Sequence, residues 1–146
     1  MSNSIAIGVA YADQDIANAT KLQANILTGA IGYNTGSTGV SIPSVTQGTS
    51  KSTGVTLNAA AGKVTMNGAA LAAAASVSFT LTNNQIGTND LVFVTISGGI
   101  ATAGTYSSRV LDVSAGACTI QITNLSGGSL SEAVVVNFAT LQLTAA

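Results

Sequence analysis

The sequence predicts an all-β protein: an antiparallel, jelly-roll-like β-sandwich of seven or eight short strands, preceded by an extended N-terminal arm. Three observations lead there. Apolar, often β-branched residues alternate with Ser and Thr at period two, which is how a strand with one buried face reads. Clusters of Gly, Asn, Asp and Ser punctuate these runs at intervals of about 8–12 residues, as turns between strands do. Helix is expected to be slight, with one loosely helical patch at Asp13–Leu22 in the arm.

The alternation begins after Pro43, which pushes Ile42 into an extended conformation. Val55/Leu57 flank Thr56, Val64/Met66 flank Thr65, and Val77/Phe79/Leu81 enclose Ser78 and Thr80. Val92/Val94/Ile96 alternate with Phe93 and Thr95, and Tyr106, Val110 and Val113 mark a run around Arg109. Ile120/Ile122 and Val134/Val136/Phe138 complete the set. The separators are Ala61-Gly62, Asn83-Asn84, Thr88-Asn89-Asp90, Ser97-Gly98-Gly99, Ala115-Gly116 and Ser126-Gly127-Gly128. The alanine run 69–75 has high helix propensity but is too short for an independent helix, so it reads as a connection, at most a helical turn.

Residues 1–43 differ in character. Glycine recurs through Thr28–Gly39, and Ile5, Ile7, Val9, Ile16, Leu22, Ile26, Leu27, Ile31 and Tyr33 follow no pattern that would bury them together. The expected organisation is an attachment or oligomerisation arm over 1–43 and a sandwich domain over 44–146.

Composition narrows the function. The 146 residues include no His and no Trp, one Cys, and only 6% charged side chains. General acid–base catalysis near neutral pH draws mainly on His or tuned carboxylates, so an enzyme is not expected, and no catalytic, cofactor-binding or metal-binding residues are assigned. A net charge of −1 offers no basic patch for phosphates, which argues against nucleic acid. The mean hydropathy of +0.50 does not arise from a membrane span, because the longest apolar run, 69–75, falls well short of the ~18–20 residues required. Residues 5–12 resemble the apolar core and A-x-A site of a signal peptide, but no Lys or Arg precedes Lys21.

Local motifs read as structural. Cys118, within an alternating run, is expected as a small buried hydrophobe. Asp13 and Asp15 form a D-x-D without the further oxygen ligands of a calcium loop. Gly48–Gly54 lacks the order of a phosphate-binding loop and reads as a polar strand edge. Within it Ser50-Lys51-Ser52 is not a Ser/Lys pair, because adjacent strand residues face oppositely; Lys51 is expected to guard a sheet edge. Asn124-Leu125-Ser126 fits a glycosylation acceptor, which matters only in a secreted eukaryotic protein. Arg109 and Asp112, three apart on one strand, are expected to face oppositely, with Arg109 a candidate interface residue.

Three segments carry a family resemblance: Thr49-Ser50-Lys51-Ser52-Thr53-Gly54-Val55-Thr56-Leu57, Gly62-Lys63-Val64-Thr65-Met66-Asn67-Gly68-Ala69-Ala70-Leu71, and Asn124-Leu125-Ser126-Gly127-Gly128-Ser129-Leu130-Ser131-Glu132-Ala133. Across Thr46 to Ala139 the chain resembles small structural proteins of tailed bacteriophages, in particular capsid decoration (cement) proteins and head or tail fibre proteins. The resemblance implies a β-rich module on the outer surface of a virion, made in the host bacterial cytoplasm. Its partners would be the major capsid protein and further copies of itself, with a trimer the expected oligomer. The alternative it implies is a receptor- or glycan-binding fibre module, against which the absence of Trp platforms weighs.

Overall fold

The computed structural model describes residues 42–143. The expected arm (up to Ser41), the Asp13/Asp15 pair and the signal-like stretch 5–12 lie outside the described residues. Eight strands form two four-stranded sheets: β1 (Ser44–Thr46), β2 (Val55–Thr56), β3 (Ala61–Thr65), β4 (Ser76–Thr82), β5 (Leu91–Gly98), β6 (Tyr106–Ser114), β7 (Ala117–Asn124) and β8 (Val135–Leu141). One sheet is ordered β1-β3-β8-β5 and the other β2-β4-β7-β6.

The alternation seen in the sequence is what packs the two sheets together. Val64, Phe79, Leu81, Ile120, Ile122, Val136 and Phe138 point inward and are buried, with Met66 and Val134 continuing the inner faces just beyond the strands. Met66 N–H donates to Val134 O at 2.8 Å, extending the β3–β8 ladder past its last pair. Burying a Val, Leu, Ile or Phe side chain contributes roughly 1.5–3 kcal/mol, so these residues are the main stabilising term.

The six longer strands pair antiparallel, as expected, but the first two do not. β1 runs parallel to β3 and β2 parallel to β4. The cause is a change of sheet: after β1 the chain crosses over one end of the sandwich through residues 47–54 and descends as β2 on the opposite sheet. A second departure lies in β6, where the register shifts between Val110 and Asp112. This bulge lets Val110 and Val113, three residues apart, both turn toward the core. It also places Arg109 opposite Gln121 and Asp112 opposite Thr119, so the two charges share the outer face instead of facing oppositely. Leu111, the extra residue, is left exposed.

The alanine run contains no helical turn. Leu71 bridges to Leu130, and Ala75 N–H donates to Ala72 O at 3.2 Å across a tight turn in which Ala74 has φ 55°. Gly99 is required by its surroundings: it has φ +72°, and a Cβ there would come within 2.0 Å of Ala133 O. Any side chain at 99 would push the β5–β6 connection off the strand leading into β8.

Buried amides close the connections. Asn124, at the end of β7, is 0% exposed; its Nδ2 donates to Leu71 O and Ala72 O at 3.0 Å and Gly128 O at 2.8 Å. Its Oδ1 accepts from Ser126 N at 2.9 Å and Ser126 Oγ at 2.7 Å. The Asn-Leu-Ser pattern is thus an internal staple, and its amide nitrogen is not free for a glycan. Asn83 plays the same part at the opposite end, donating to Ala59 O at 2.7 Å and accepting from Gln85 N at 3.0 Å. Replacing Asn124 by Ala strands buried carbonyls at about 1–3 kcal/mol for each unsatisfied group. Asn124→Ala is therefore expected to lower the thermal midpoint by several degrees, with Asn124→Asp worse, since a carboxylate cannot donate to three carbonyls. A calorimetric midpoint equal to that of the parent protein would refute the staple.

Candidate functional site

The polar chemistry of the described residues converges at the end of the sandwich where the chain changes sheet. Residues 50–53 form a turn there rather than a strand edge: Thr53 N–H donates to Ser50 O at 3.1 Å and Ser50 N–H to Thr53 Oγ1 at 3.0 Å. The turn leaves Ser52 outside and drives Lys51 inward, to 4% exposure. Lys51 Nζ donates to Asn67 O at 2.7 Å and to Glu132 O. The expectation that Lys51 guards a sheet edge is corrected by these contacts. The lysine stem is covered by the loops at this end and its ammonium is satisfied by carbonyls from two other connections. Its bonds go to backbone, so Ser50 and Ser52 form no Ser/Lys pair with it.

Gln47 and Glu132 extend the cluster. Gln47 Nε2 donates to Lys51 O at 3.0 Å and Thr53 O at 2.7 Å, while its Oε1 accepts from Asn67 N at 3.0 Å. Glu132 Oε1 accepts from Ala101 N at 2.7 Å. Glu132 Oε2 and the Tyr106 hydroxyl are both buried and make no well-formed hydrogen bond. Burial first, and the facing Glu132 carboxylate second, push the Tyr106 phenol up to about 12. Burial lowers Lys51 from its ordinary 10.5, opposed by attraction to Glu132.

One cation, one carboxylate and one phenol thus sit together, but the geometry offers no reaction. The lysine is engaged by carbonyls, the carboxylate holds a loop amide, and the phenol stays protonated at neutral pH. The cluster works as a tie between connections. Cys118 is likewise inert, at 1% exposure on the inner face of β7 with its thiol pushed up to about 11 by burial. Among the described residues no three His, Cys, Asp or Glu side chains gather as a metal site. Nor is any helix there long and apolar enough to cross a membrane.

The outer faces of the two sheets differ in chemistry. The outer face of the β2-β4-β7-β6 sheet carries Ser76, Ser78, Thr80, Thr82, Thr119, Gln121 and Thr123, cross-linked by Ser76 Oγ···Thr123 Oγ1 at 2.7 Å. Arg109 lies on this face with its Nε donating to Gln121 Oε1 at 2.7 Å. The outer face of the other sheet is apolar at one end: Leu91 stands opposite Leu141, beside Phe93 at 59% exposure. Ile42, where the described chain enters, is exposed at the same end, next to Pro43, whose carbonyl accepts from Lys63 N. These faces were only half legible in the sequence, where Phe93 appears simply as the outward partner of Val92 and Val94.

Comparison with protein-family models, curated proteins and solved structures finds no match. The cluster itself makes two predictions. Lys51→Met keeps the stem but strips two hydrogen bonds from buried carbonyls, and should cost about 2–4 kcal/mol in denaturant titration; a loss below about 0.5 kcal/mol would show that the tie is dispensable. The second concerns alkaline pH. Cys118 is raised from 9.0 to about 11 and Tyr106 from 10.0 to about 12. A group held above its unfolded value contributes stability that is present below that value and lost as pH climbs through the folded one. Among the described residues stability should therefore fall between pH 9 and 12, opposed by Lys51, whose lowered value makes stability rise with pH up to 10.5. Cys118→Val should flatten the part of the thermal-midpoint profile between pH 9 and 11, and an unchanged profile would exclude the thiol as its source.

Proposed function

We propose that this chain is a non-enzymatic structural component of a bacteriophage virion, a capsid decoration (cement) protein that binds the outside of an icosahedral head and stabilises it. Its partners in this reading are the major capsid protein and further copies of itself. The observation that carries the reading is the apolar end of the outer face of the β1-β3-β8-β5 sheet, where Leu91 and Phe93 of β5 and Leu141 of β8 stand exposed side by side. A protein acting free in solution gains nothing from such a patch, whereas one seated on a shell buries it. The likeness of the three quoted segments to phage structural proteins supports the same reading, as does a surface with too few charges for colloidal repulsion.

Attachment in this reading belongs to residues 1–43, whose apolar side chains would bury against a shell, and repetition over a closed homo-oligomer raises weak contacts to tight binding. Bound copies stabilise the shell, because a ligand that prefers the assembled state shifts assembly toward it. A second reading, a receptor- or glycan-binding fibre module, is favoured by the hydroxyl-rich outer face of the β2-β4-β7-β6 sheet.

Copies in purified virions discriminate the two: cement is distributed over the head, a fibre confined to the tail or a few vertices. Full-length protein is expected to co-sediment with empty heads and to raise their thermal disruption temperature, and removal of residues 1–42 to abolish both. Equal binding by the truncated and full-length proteins would assign the grip to the sandwich alone, and failure of both to bind would overturn the cement reading.

A further inference from the structure

Gly68, on the β3–β4 connection, is not demanded by the fold. Its backbone lies outside the left-handed region, and a Cβ added there meets no atom within 4 Å, unlike one at Gly99. Any residue would fit, yet Gly68 forms with Asn67 the one Asn-Gly dipeptide of the chain. In that dipeptide a backbone nitrogen most readily attacks the preceding side-chain amide, because glycine places no Cβ beside the attacking atom.

The surroundings favour the attack. Asn67 Oδ1 accepts from Ala69 N–H at 2.8 Å, an Asx turn whose ring contains both Asn67 Cγ and the Gly68 nitrogen, and the hydrogen bond polarises the Cγ carbonyl. Among the described residues no acceptor takes the Gly68 N–H. Asn67 is half-buried and Gly68 exposed, so water reaches both. The backbone of Asn67 is meanwhile held on either side: its N–H donates to Gln47 Oε1 at 3.0 Å, and its carbonyl accepts from Lys51 Nζ at 2.7 Å.

We propose that Asn67-Gly68 is a self-modifying site, at which the folded chain converts Asn67 to isoaspartate and Lys51 directs the outcome. The Gly68 nitrogen bonds to Asn67 Cγ and gives up its proton to water, while the Cγ–Nδ2 bond breaks and Nδ2 leaves as ammonia. Water then opens the resulting cyclic imide at one of its two carbonyls. Opening at Cγ gives aspartate; opening at the α-carbonyl gives isoaspartate, with the Gly68 nitrogen kept on Cγ. Lys51 selects between them, because its Nζ donates to the α-carbonyl oxygen and stabilises the charge that develops there when water adds. The bond from the Asn67 α-carbonyl carbon to the Gly68 nitrogen breaks, and the new α-carboxylate forms against the ammonium. A contact between an ammonium and a neutral carbonyl becomes an ion pair in the same place, so the tie between connections changes after folding. Each chain undergoes the change once, without turnover, and nothing in it depends on attachment to a head.

The test uses the full chain, aged in its folded state at neutral pH and then read by peptide mass mapping and isoaspartyl methyltransferase labelling. Isoaspartate is expected to accumulate at 67 while the buried Asn83 and Asn124 stay unchanged. Its ratio to aspartate should exceed that of the same chain aged in denaturant, where Lys51 is elsewhere. Gly68→Ala, which the open space accommodates, should keep the circular dichroism spectrum and lose the modification. Lys51→Met, aged at a temperature where its spectrum is that of the folded protein, should still lose ammonia from Asn67 but give the ratio of the denatured chain. An Asn67 that stays intact in the folded protein while the denatured chain reacts overturns the inference, since the Asx turn would then be a guard. So does modification that persists undiminished in Gly68→Ala, or a product ratio that Lys51→Met leaves unmoved.

Discussion

Lys51 is the point on which the arrangement of connections depends. All four loops at its end of the sandwich meet through it and one carboxylate. Lys51 belongs to the β1–β2 crossing, its ammonium holds the carbonyls of Asn67 on the β3–β4 connection and Glu132 on the β7–β8 connection, and the Glu132 side chain holds Ala101 of the β5–β6 connection. A buried ammonium is costly to desolvate, which is why its titration is displaced downward. That cost is offset only while the two carbonyls and the nearby carboxylate remain where they are, so the loops cannot move independently.

This tie explains how strands as short as β1 and β2 persist. A two-residue strand adds little pairing of its own, yet β2 is delivered to β4 by a crossing fixed at Gln47 and Lys51. The parallel pairing of both strands follows from the crossing, because a chain that passes over one end arrives on the second sheet running the other way. Asn124 and Asn83 do comparable work nearby and at the far end, each replacing the hydrogen bonds that a turn would otherwise leave unmade.

The sequence showed the fold class because period-two alternation is local: Val64, Phe79, Ile120 and Val136 announce a buried face from their immediate neighbours. The β6 bulge was also visible in principle, since Val110 and Val113 have the wrong spacing for one face of a regular strand, and only an extra residue reconciles them. The cluster was not visible. Lys51 finds its partners at positions 67 and 132, and those partners are backbone carbonyls, which every residue has. Read along the chain, a lysine among serines looks like surface, and an Asn-Leu-Ser triplet looks like a modification motif. Their burial is decided by the crossing between sheets, a long-range event without a local pattern.

The same cluster shapes the surface by subtraction. Of the six charged side chains among the described residues, Lys51, Glu132 and Asp90 are turned to internal work, Asp90 by accepting from Gly87 N at 2.7 Å and Leu143 N at 3.0 Å. Lys63, Arg109 and Asp112 are left, and Arg109 is already engaged with Gln121. Long-range electrostatic steering needs a field that three scattered charges do not make. Recognition by this sandwich therefore has to proceed at contact range, through hydroxyl and amide groups on one sheet and apolar side chains on the other. Contacts of that kind are weak singly and gain strength when symmetry repeats them, which is what the many copies in the proposed cement function would supply.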